Sequence, residues 1–299
     1  MTHPVIGLIH PGEMGAAVAR LLRDSGHQVL WASSDRGPQT RRRAEDAGLL
    51  DVGTIGALVE HADVVFSICP PHAALDVARS VAGYAVTFVD ANAVSPETAR
   101  EIAEPIDAGG GRCIDGGIVG PPPLRAGDTR LYLSGRHAGI VRDLFARTVV
   151  DARVVDDRVG SASALKMCYA AWTKGTAALL LAIRTLARAE GVETPLLDEW
   201  AISQPDLTGR SSRAAGSAGT KGWRWVAEME HIAATFASLD LPPGFHESAA
   251  AVFDRVPRQD RAGDGVEALD RVVSALLAGV RSGTGASRPG DGRGSGPSG

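Results

Sequence analysis

The residues near the start of the chain that are best suited to chemistry lie in a glycine turn. Residues 5–9 form a short apolar run typical of a buried strand, and an amphipathic helical pattern begins at Glu13. Between them, Gly12 would let a pyrophosphate approach the backbone, and Gly15 would let the helix pack closely against the strand. Because the first N–H groups of the helix would face the phosphates, this turn predicts a dinucleotide site. The residues predicted to contact the cofactor here are His10, Pro11, Gly12, Glu13 and Met14, with His10 at the first glycine position of the G-x-G-x-x-G pattern.

The residues after the second apolar run bear on which dinucleotide is bound. An acidic residue at this place would hold the ribose 2′-hydroxyl of NAD, whereas arginine can donate a bidentate pair of hydrogen bonds to the 2′-phosphate of NADP. The sequence here reads Ser33, Ser34, Asp35, Arg36. The two hydroxyl groups and the guanidinium favour NADP(H) over NAD(H), and Asp35 would favour NAD(H) if it pointed inward.

Two further turns are expected to line the nicotinamide half of the cofactor, because ligands of parallel sheets bind beyond the carboxyl ends of the strands. Asn92 follows the fourth predicted strand, and its amide can donate and accept hydrogen bonds, so it is predicted to serve the cofactor or a substrate. Ser95 is expected to cap the next helix. The residues predicted after the third strand are Cys69, Pro70 and Pro71.

The elements that must position these residues alternate between apolar strands and helices in the first half of the chain. This alternation predicts an α/β fold with a Rossmann-type, doubly wound parallel sheet that helices cover on both faces. The expected strands are residues 4–9, 28–33, 63–68, 85–90, 112–115, 130–134 and 151–155. The expected helices are residues 13–25, 38–48, 54–60, 72–82, 96–108 and 138–147.

Only helical patterns follow after about residue 158. The expected helices of this half are residues 160–190, 195–203, 222–239, 244–254 and 265–280. The sequence therefore predicts a dinucleotide-binding domain over residues 1–158 and an all-helical domain over residues 159–280. Residues 281–299 are rich in glycine and serine, cannot bury apolar surface, and are predicted to be a disordered tail.

The composition narrows the function classes. The chain has 299 residues and a net charge of −4, which gives no reason to expect a nucleic-acid partner. Its cysteines, Cys69, Cys113 and Cys168, lack the spacing of metal ligands, so we expect no metal site. So few cysteines, in an odd number, are typical of a protein from a reducing compartment. The most apolar helix is interrupted by Arg184, and we recognise no signal peptide, so we expect a cytoplasmic protein without a membrane partner.

Motifs in both halves of the chain match one known pattern. Gly12, Met14 and Gly15 fit a G-x-G-x-x-M-G-like turn, and residues 115–123 fit a D-A-P-V-S-G-G-like segment with Val119 at the serine. Residues 160–170 keep the lysine of a G-x-x-x-K-x-x-N-N setting as Lys166, and Tyr169-Ala170 stand at the asparagines. With these motifs the chain resembles the β-hydroxyacid dehydrogenase superfamily, which includes 3-hydroxyisobutyrate dehydrogenase and 6-phosphogluconate dehydrogenase.

The departures from those motifs resemble one branch of that superfamily. Residues 166–175 fit K-M-x-x-A-x-x-T-K-G, and residues 224–230 fit R-W-x-x-E-M-E. Both motifs resemble a 6-phosphogluconate dehydrogenase-like branch whose C-terminal domain has no settled function.

The resemblance implies an NAD(P)-dependent oxidoreductase in which Lys166 is the general acid or base. A lysine partly desolvated in a cleft has a lowered pKa and can protonate a carbonyl oxygen as hydride arrives. Tyr169 is expected either to share this work or to pack. One face of the helix would hold Lys166, Tyr169, Ala170 and Thr173, with Lys174 at its edge. The opposite, apolar face would hold Leu165, Cys168 and Trp172.

The substrate is expected to be a small polar molecule. Arg224 is predicted to hold its carboxylate or phosphate, or else to lie on an interface helix, and Lys174 to contact a substrate anion or form a salt bridge. The resemblance also implies a homodimer built through the helical domain. Imine reduction on the same fold and a non-catalytic NADP(H)-binding sensor are the alternative functions. The other predicted substrate contacts are Asn92, Ile118, Val119 and Gly120.

Overall fold

The computed structural model describes residues 3–259 and 265–283. The chain separates into two compact units. The first contains the described residues up to Gly175 together with Ala227–Ser248, and the second contains Thr176–Val226 together with the described residues from Ala249 onward. The predicted domain boundary near 158 precedes the long helix, whereas the two compact units divide within that helix.

The first unit is built on an eight-stranded sheet in the order β3-β2-β1-β4-β5-β6-β7-β8. Every neighbouring pair is parallel except β6 and β7, which are antiparallel. The strands are β1 Ile6–Leu8, β2 Val29–Trp31, β3 Leu50–Asp51, β4 Val64–Ser67, β5 Thr87–Asp90, β6 Arg112–Val119, β7 Arg130–Ser134 and β8 Asp151–Val154.

Helices join the strands and then continue without strands through the rest of the described chain. Those of the sheet region are α1 Glu13–Asp24, α2 Pro38–Asp46, α3 Ile55–His61, α4 Ala74–Val81, α5 Pro96–Ala108 and α6 Ala138–Leu144, with a 3₁₀ turn at Pro71–Ala73. Those that follow are α7 Ser161–Ala189, α8 Glu193–Ser203, α9 Leu207–Ala237, α10 Gly244–Asp254 and α11 Gly265–Gly283. The predicted Rossmann-type fold followed by helices is confirmed.

The core lies on both faces of the sheet, as buried parallel strands require. On one face, Leu8 and Phe66 pack in a cluster that includes Val18 of α1. On the other face, Val65 and Phe88 pack in a cluster that includes helices α3 to α5. Neighbouring residues of one strand alternate between the two clusters, which is the period of two expected of a strand.

Two features of the sheet differ from the prediction. The sheet is not purely parallel: β6 extends to Val119, and the chain returns through a loop without a helix, so β7 pairs with it in the antiparallel direction. The two-residue strand β3 was not predicted, because Leu50 and Asp51 are exposed and show no apolar pattern.

The helix α9 begins well before the predicted start at residue 222. Its first half contains Gly209, Gly216 and Gly219 with several serines, which are weak helix formers. Tertiary packing overrides this propensity, since Ala215 and Ala218 are buried.

The last helix, α11, continues to Gly283, past the predicted end at 280. The rest of the predicted tail lies outside the described residues. Within the described ranges, no helix is both long and apolar enough to cross a membrane.

Candidate functional site

The glycine turn after β1 has the shape that an anion needs. Gly12 stands at the N-cap of α1 and has no side chain with which to cap the helix, so no cap side chain occupies the place where a helix N-terminus can bind a phosphate. A Cβ built on Gly12 would meet no atom within 4 Å, which leaves room for a ligand. A Cβ on Gly15 would lie 2.5 Å from the His10 carbonyl oxygen, so only glycine fits there. These features fit a bound dinucleotide.

His10 and Arg36 bring two polar atoms to the same turn. Burial lowers the pKa of His10 to about 4, and the positive charge of Arg36 adds to that effect, so the imidazole is neutral at neutral pH. His10 Nδ1 and Arg36 Nε are buried, and neither has a hydrogen-bond partner among the described residues. An imidazole nitrogen and a guanidinium N–H without protein partners at this place are what a polar ligand would satisfy.

The two serines after β2 are engaged by the protein. Ser34 donates its hydroxyl to the Gly53 carbonyl at 2.7 Å. Burial raises the pKa of Asp51, but hydrogen bonds from Ser33 and Gly53 outweigh it, so that pKa lies below its ordinary value. Asp35 is exposed, with a left-handed φ of +59°. Of the four residues in this stretch, Arg36 is the one whose charge acts on the turn at His10.

The loops after β4 and β5 are tied together through Asn92. Its Oδ1 accepts from the Cys69 N–H, and its Nδ2 donates to the Asp90 carboxylate and to Ser67 Oγ. Both donors of the Asn92 amide are therefore used by protein groups. Burial raises the pKa of the Cys69 thiol to about 11, which makes it a poor nucleophile. Of the two prolines that follow, Pro70 is exposed and Pro71 half-buried.

Lys166 lies at the end of β6, where Gly117 lets the helix α7 come close. A Cβ on Gly117 would lie 2.9 Å from the Ala162 carbonyl oxygen and 3.1 Å from Lys166 Cβ. This approach lets Lys166 Nζ donate a hydrogen bond of 2.8 Å to the Ile118 carbonyl. Gly117 is thus the contact surface for α7, whereas a Cβ on Gly116 would meet Asp90 and Ala91 at the end of β5.

A carboxylate completes this cluster. Glu228 Oε1 on α9 lies 2.9 Å from Lys174 Nζ and 3.6 Å from Lys166 Nζ. Only 14% of the Lys166 side chain, 15% of the Lys174 side chain and 9% of the Glu228 side chain are exposed. The predicted substrate contact Lys174 therefore forms a salt bridge, which was the other role expected of it.

The charges of the cluster oppose and support one another. Burial lowers the pKa of Lys166 below its ordinary value, Lys174 adds to that effect, and Glu228 opposes it. Burial raises the pKa of Glu228, but Lys174 and Lys166 outweigh it, so the pKa is lowered and Glu228 is ionised. A buried lysine with a lowered pKa can give and take a proton nearer to neutral pH than an exposed one.

Asp115 fixes the start of α7 to the sheet. Its carboxylate accepts hydrogen bonds from the N–H groups of Gly160 and Ser163 and from the hydroxyls of Ser134 and Ser163. Two of these donors are N–H groups at the N-terminus of α7, so Asp115 caps that helix from the neighbouring strand. Asp115 thereby holds the helix that carries Lys166.

Asp90 is the partner of Asp115 in the register of β5 and β6. Burial raises the pKa of Asp90 to about 7, and the charge of Asp115 adds to the effect. Its Oδ2 is buried and has no hydrogen-bond partner within the described ranges.

The remaining predicted site residues lie in different environments. Tyr169 is exposed on α7. Val119 is buried in β6, and Gly120 follows it with a φ of +115°. Arg224 belongs to the second compact unit, where its guanidinium lies 4.9 Å from the centroid of the Trp223 ring.

The expected apolar face of α7 is not a buried one. Cys168 and Trp172 are exposed, whereas Met167 and Ala170 are buried. Ala170, expected on the polar face of α7, is therefore part of its buried face. Within the described residues, no group of three His, Cys, Asp or Glu side chains is arranged to hold a metal.

Sequence reasoning did not find Glu228, although the lysine content could have pointed to its cluster. The chain has only three lysines, Lys166, Lys174 and Lys221, among 31 basic residues. Two of the three meet at Glu228. In a chain that otherwise uses arginine, each lysine is a candidate for a role that a permanently charged guanidinium cannot fill.

Comparisons with known proteins identify the family. Residues 5–139 match the NAD binding domain of 6-phosphogluconate dehydrogenase, and residues 187–256 match a domain of unknown function, DUF1932. An uncharacterized 28.5 kDa protein of Methanothermus fervidus is 30% identical over 194 residues, which are 64% of this chain and 74% of that protein. The chain belongs to the β-hydroxyacid dehydrogenase superfamily. It is a member of the branch whose C-terminal domain has no assigned function.

Several proteins of known structure share the fold of this member of the β-hydroxyacid dehydrogenase superfamily. A conserved protein of unknown function, described as similar to 3-hydroxyacid dehydrogenases, is 25% identical, with a TM-score of 0.62 over 92% of this chain and 98% of that one. A Mycobacterium tuberculosis 3-hydroxyisobutyrate dehydrogenase with L-serine is 18% identical, with a TM-score of 0.67 over 92% and 99%. An Aspergillus terreus reductive aminase with NADPH is 20% identical, with a TM-score of 0.55 over 92% and 99%.

Proposed function

We propose that this protein is an NADP-preferring oxidoreductase that interconverts a hydroxyl and a carbonyl group on a small acidic substrate. The observation that carries the proposal is Lys166, a buried lysine with a lowered pKa in the same compact unit as the glycine turn. The family supports a nicotinamide cofactor, which supplies or accepts the hydride when bound.

The chain's own part in the reaction is proton transfer and orientation. In the reducing direction, Lys166 gives a proton from Nζ to the carbonyl oxygen and is left as a neutral amine. In the oxidising direction, the neutral amine takes the proton of the hydroxyl group. The Ile118 carbonyl, which accepts from Nζ, keeps the amine at the end of β6 in both directions. The net positive charge of two lysines with one glutamate favours an anionic substrate.

The preference for NADP rests on Arg36. Its buried Nε has no partner among the described residues, and a guanidinium suits a 2′-phosphate. The neutral His10 places no charge against the pyrophosphate, so it is compatible with the cofactor despite replacing a glycine.

A titration with NADPH and NADH, followed by tryptophan fluorescence, tests this assignment. We expect NADPH to bind at least about tenfold more tightly than NADH, and Arg36→Gln to remove most of that difference, since a charged hydrogen bond contributes about 1.5–3 kcal/mol. The matched control is Arg42→Gln, which removes an exposed arginine of α2 and should keep the preference. Tighter binding of NADH by the wild type would overturn the NADP assignment, and binding of neither would overturn the oxidoreductase.

Imine reduction is a second candidate that one observation favours. The fold is shared with a reductive aminase solved with NADPH, and Tyr169 and Ala170 stand where the resemblance implies asparagines. A substrate panel should therefore pair each oxo acid with the same oxo acid plus an amine. Turnover only in the presence of the amine would assign imine reduction, and turnover without it would assign the dehydrogenase reaction.

A non-catalytic NADP(H)-binding sensor is the third candidate. Tight binding of NADPH without turnover of any oxo acid, ketone or imine in that panel would assign this role.

A further inference from the structure

Glu228 is a buried carboxylate at which two ammonium groups meet. Its Oε1 lies 2.9 Å from Lys174 Nζ and 3.6 Å from Lys166 Nζ. The three side chains come from α7 and α9 and belong to one compact unit. Glu228 also lies within residues 187–256, the segment that matches a domain of unknown function.

The choice of lysine in this cluster argues against a purely structural ion pair. Elsewhere the chain builds a buried pair with arginine, as between Arg184 and Glu193 at 2.7 Å. Arginine stays charged in proteins, whereas a lysine ammonium can lose its proton when it is buried. Two of the chain's three lysines meet at one carboxylate. The cations of this cluster can therefore lose a proton, which arginines could not.

Groups on three elements, α7, α9 and β6, surround Lys166. On its own helix, Lys174 disfavours a proton on Lys166, and on α9 Glu228 favours it. On β6, the Ile118 carbonyl accepts a hydrogen bond from the ammonium. His231, also on α9, carries little charge at neutral pH, because burial lowers its pKa against the opposing effects of Glu230 and Glu228.

These contacts make the Lys174–Glu228 pair a neutral unit beside Lys166. Since Lys174 lies at hydrogen-bonding distance from Oε1 and Lys166 lies farther away, Glu228 offsets only part of the cost of burying the Lys166 proton. Without Glu228, two buried ammonium groups would face each other, and Lys166 would lose its proton more readily.

We propose that Glu228 is the positioning residue of this site, which holds the Lys166 ammonium at the end of β6 and sets how readily it releases its proton, while Lys174 weakens that hold by sharing Oε1. The inference rests on the proposed role of Lys166 as acid and base. It also gives the domain of unknown function a part in the chemistry, through one side chain of α9.

Nuclear magnetic resonance of the full-length protein labelled with ¹³Cε-lysine tests the proposal directly. The three lysines give three signals, which Lys166→Met, Lys174→Met and Lys221→Met assign. The pH dependence of the Lys166 signal reports its pKa without any cofactor or substrate. If Glu228 did not act on the Lys166 ammonium, its removal would leave that pKa where it is.

The two partners of Lys166 should shift its pKa in opposite directions. Glu228→Gln should lower it by about one unit or more, because an opposite charge at this distance is removed. Lys174→Met should raise it, because a like charge is removed and Glu228 is released to Lys166. The matched control Glu230→Gln, at an exposed position of α9, should leave it unchanged.

An unchanged Lys166 pKa in Glu228→Gln would overturn the proposal. If that variant does not fold, Lys174→Met decides alone, and an unchanged or lowered pKa there would overturn it as well. Because the measurement needs no turnover, its failure is distinct from a failure of the proposed function, which the substrate panel reports.

Discussion

Arg36 and Asp90 each have a buried polar atom without a partner among the described residues, but their roles differ. Arg36 keeps a buried Nε without a partner among the described residues, at a turn suited to a phosphate. Asp90 is buried beside Asp115 and accepts a hydrogen bond from the Asn92 amide. Arg36 therefore belongs to the proposed cofactor site, whereas Asp90 is expected to affect stability.

Asp90 should make the protein less stable as the pH rises. Burial raises the pKa of Asp90 to about 7 in the folded protein, above its value in the unfolded chain. Its contribution to stability is therefore complete below the unfolded pKa of about 4 and is lost as the pH rises towards 7. In urea unfolding, the free energy of wild type minus that of Asp90→Asn should fall by about 2 kcal/mol between pH 5 and pH 7.

The control for that measurement is Asp76→Asn, at an exposed position of α4. It should follow the wild type at both pH values. A difference between wild type and Asp90→Asn that does not change with pH would contradict the account of Asp90.

Motifs identified single residues of the site only where the sequence itself brings them together. The sequence placed Gly12 and Gly15 at the turn into α1 and Lys166 on α7, because each belongs to a short stretch with a recognisable spacing. Glu228 was missed because it reaches Lys166 from a different helix, far along the chain. The spacing of a motif carries no information about a contact of that kind.

At the scale of elements, the close approach of α7 to β6 decides where Lys166 lies. Gly117 permits that approach, and Asp115 caps the start of α7. Hydrogen bonds to Asp115 therefore fix the start of α7, and the absence of a side chain at Gly117 lets the helix pack close to β6. Neither device changes the helical pattern of the sequence, so neither could be predicted from it.

Gly117→Ala tests the approach of the helix to the strand. The added Cβ would lie 2.9 Å from the Ala162 carbonyl oxygen, so the backbone must shift, and we expect a loss of about 1–3 kcal/mol in the free energy of unfolding. Gly216→Ala in α9 is the matched control, since its Cβ would meet no atom within 4 Å. That variant should gain about 0.5–1 kcal/mol, and equal effects of the two changes would contradict the account.

The hydrophobic pattern predicted the helices and strands wherever their apolar residues are uniformly buried. The strands of the sheet centre and α7 were predicted within a few residues, because continuous apolar runs and caps mark them. The antiparallel direction of β7 and the early start of α9 were not predicted. Strand direction depends on whether a helix fits the connection, and the first half of α9 is stabilised by packing that propensity does not report.

At the scale of the whole molecule, α7 carries apolar side chains that the single chain leaves exposed. Trp172 is 64% exposed and Leu186 is 62% exposed, and both lie on this one helix. We propose a homodimer that covers this helix, in keeping with the partner implied by the resemblance.

Light scattering after gel filtration checks the dimer. The wild type should have twice the chain mass, and Trp172→Glu should shift the equilibrium to the monomer because it places a charge in an apolar interface. Ile202→Glu, which alters an exposed apolar residue of α8, is the matched control and should stay dimeric. A wild type with the mass of one chain at micromolar concentration would contradict the proposal.

The central claim is that Lys166 moves the proton of an NADPH-dependent reduction, and turnover by three proteins tests it most directly. Wild type, Lys166→Met and the exposed control Lys221→Met would be compared on the oxo acid of the panel that the wild type reduces fastest, by NADPH absorbance at saturating cofactor. We expect Lys166→Met to lose about 10²–10⁴-fold in kcat, the usual contribution of a general acid, with NADPH binding unchanged. Lys221→Met should keep the wild-type rate. A Lys166→Met protein that retains wild-type kcat would contradict the account.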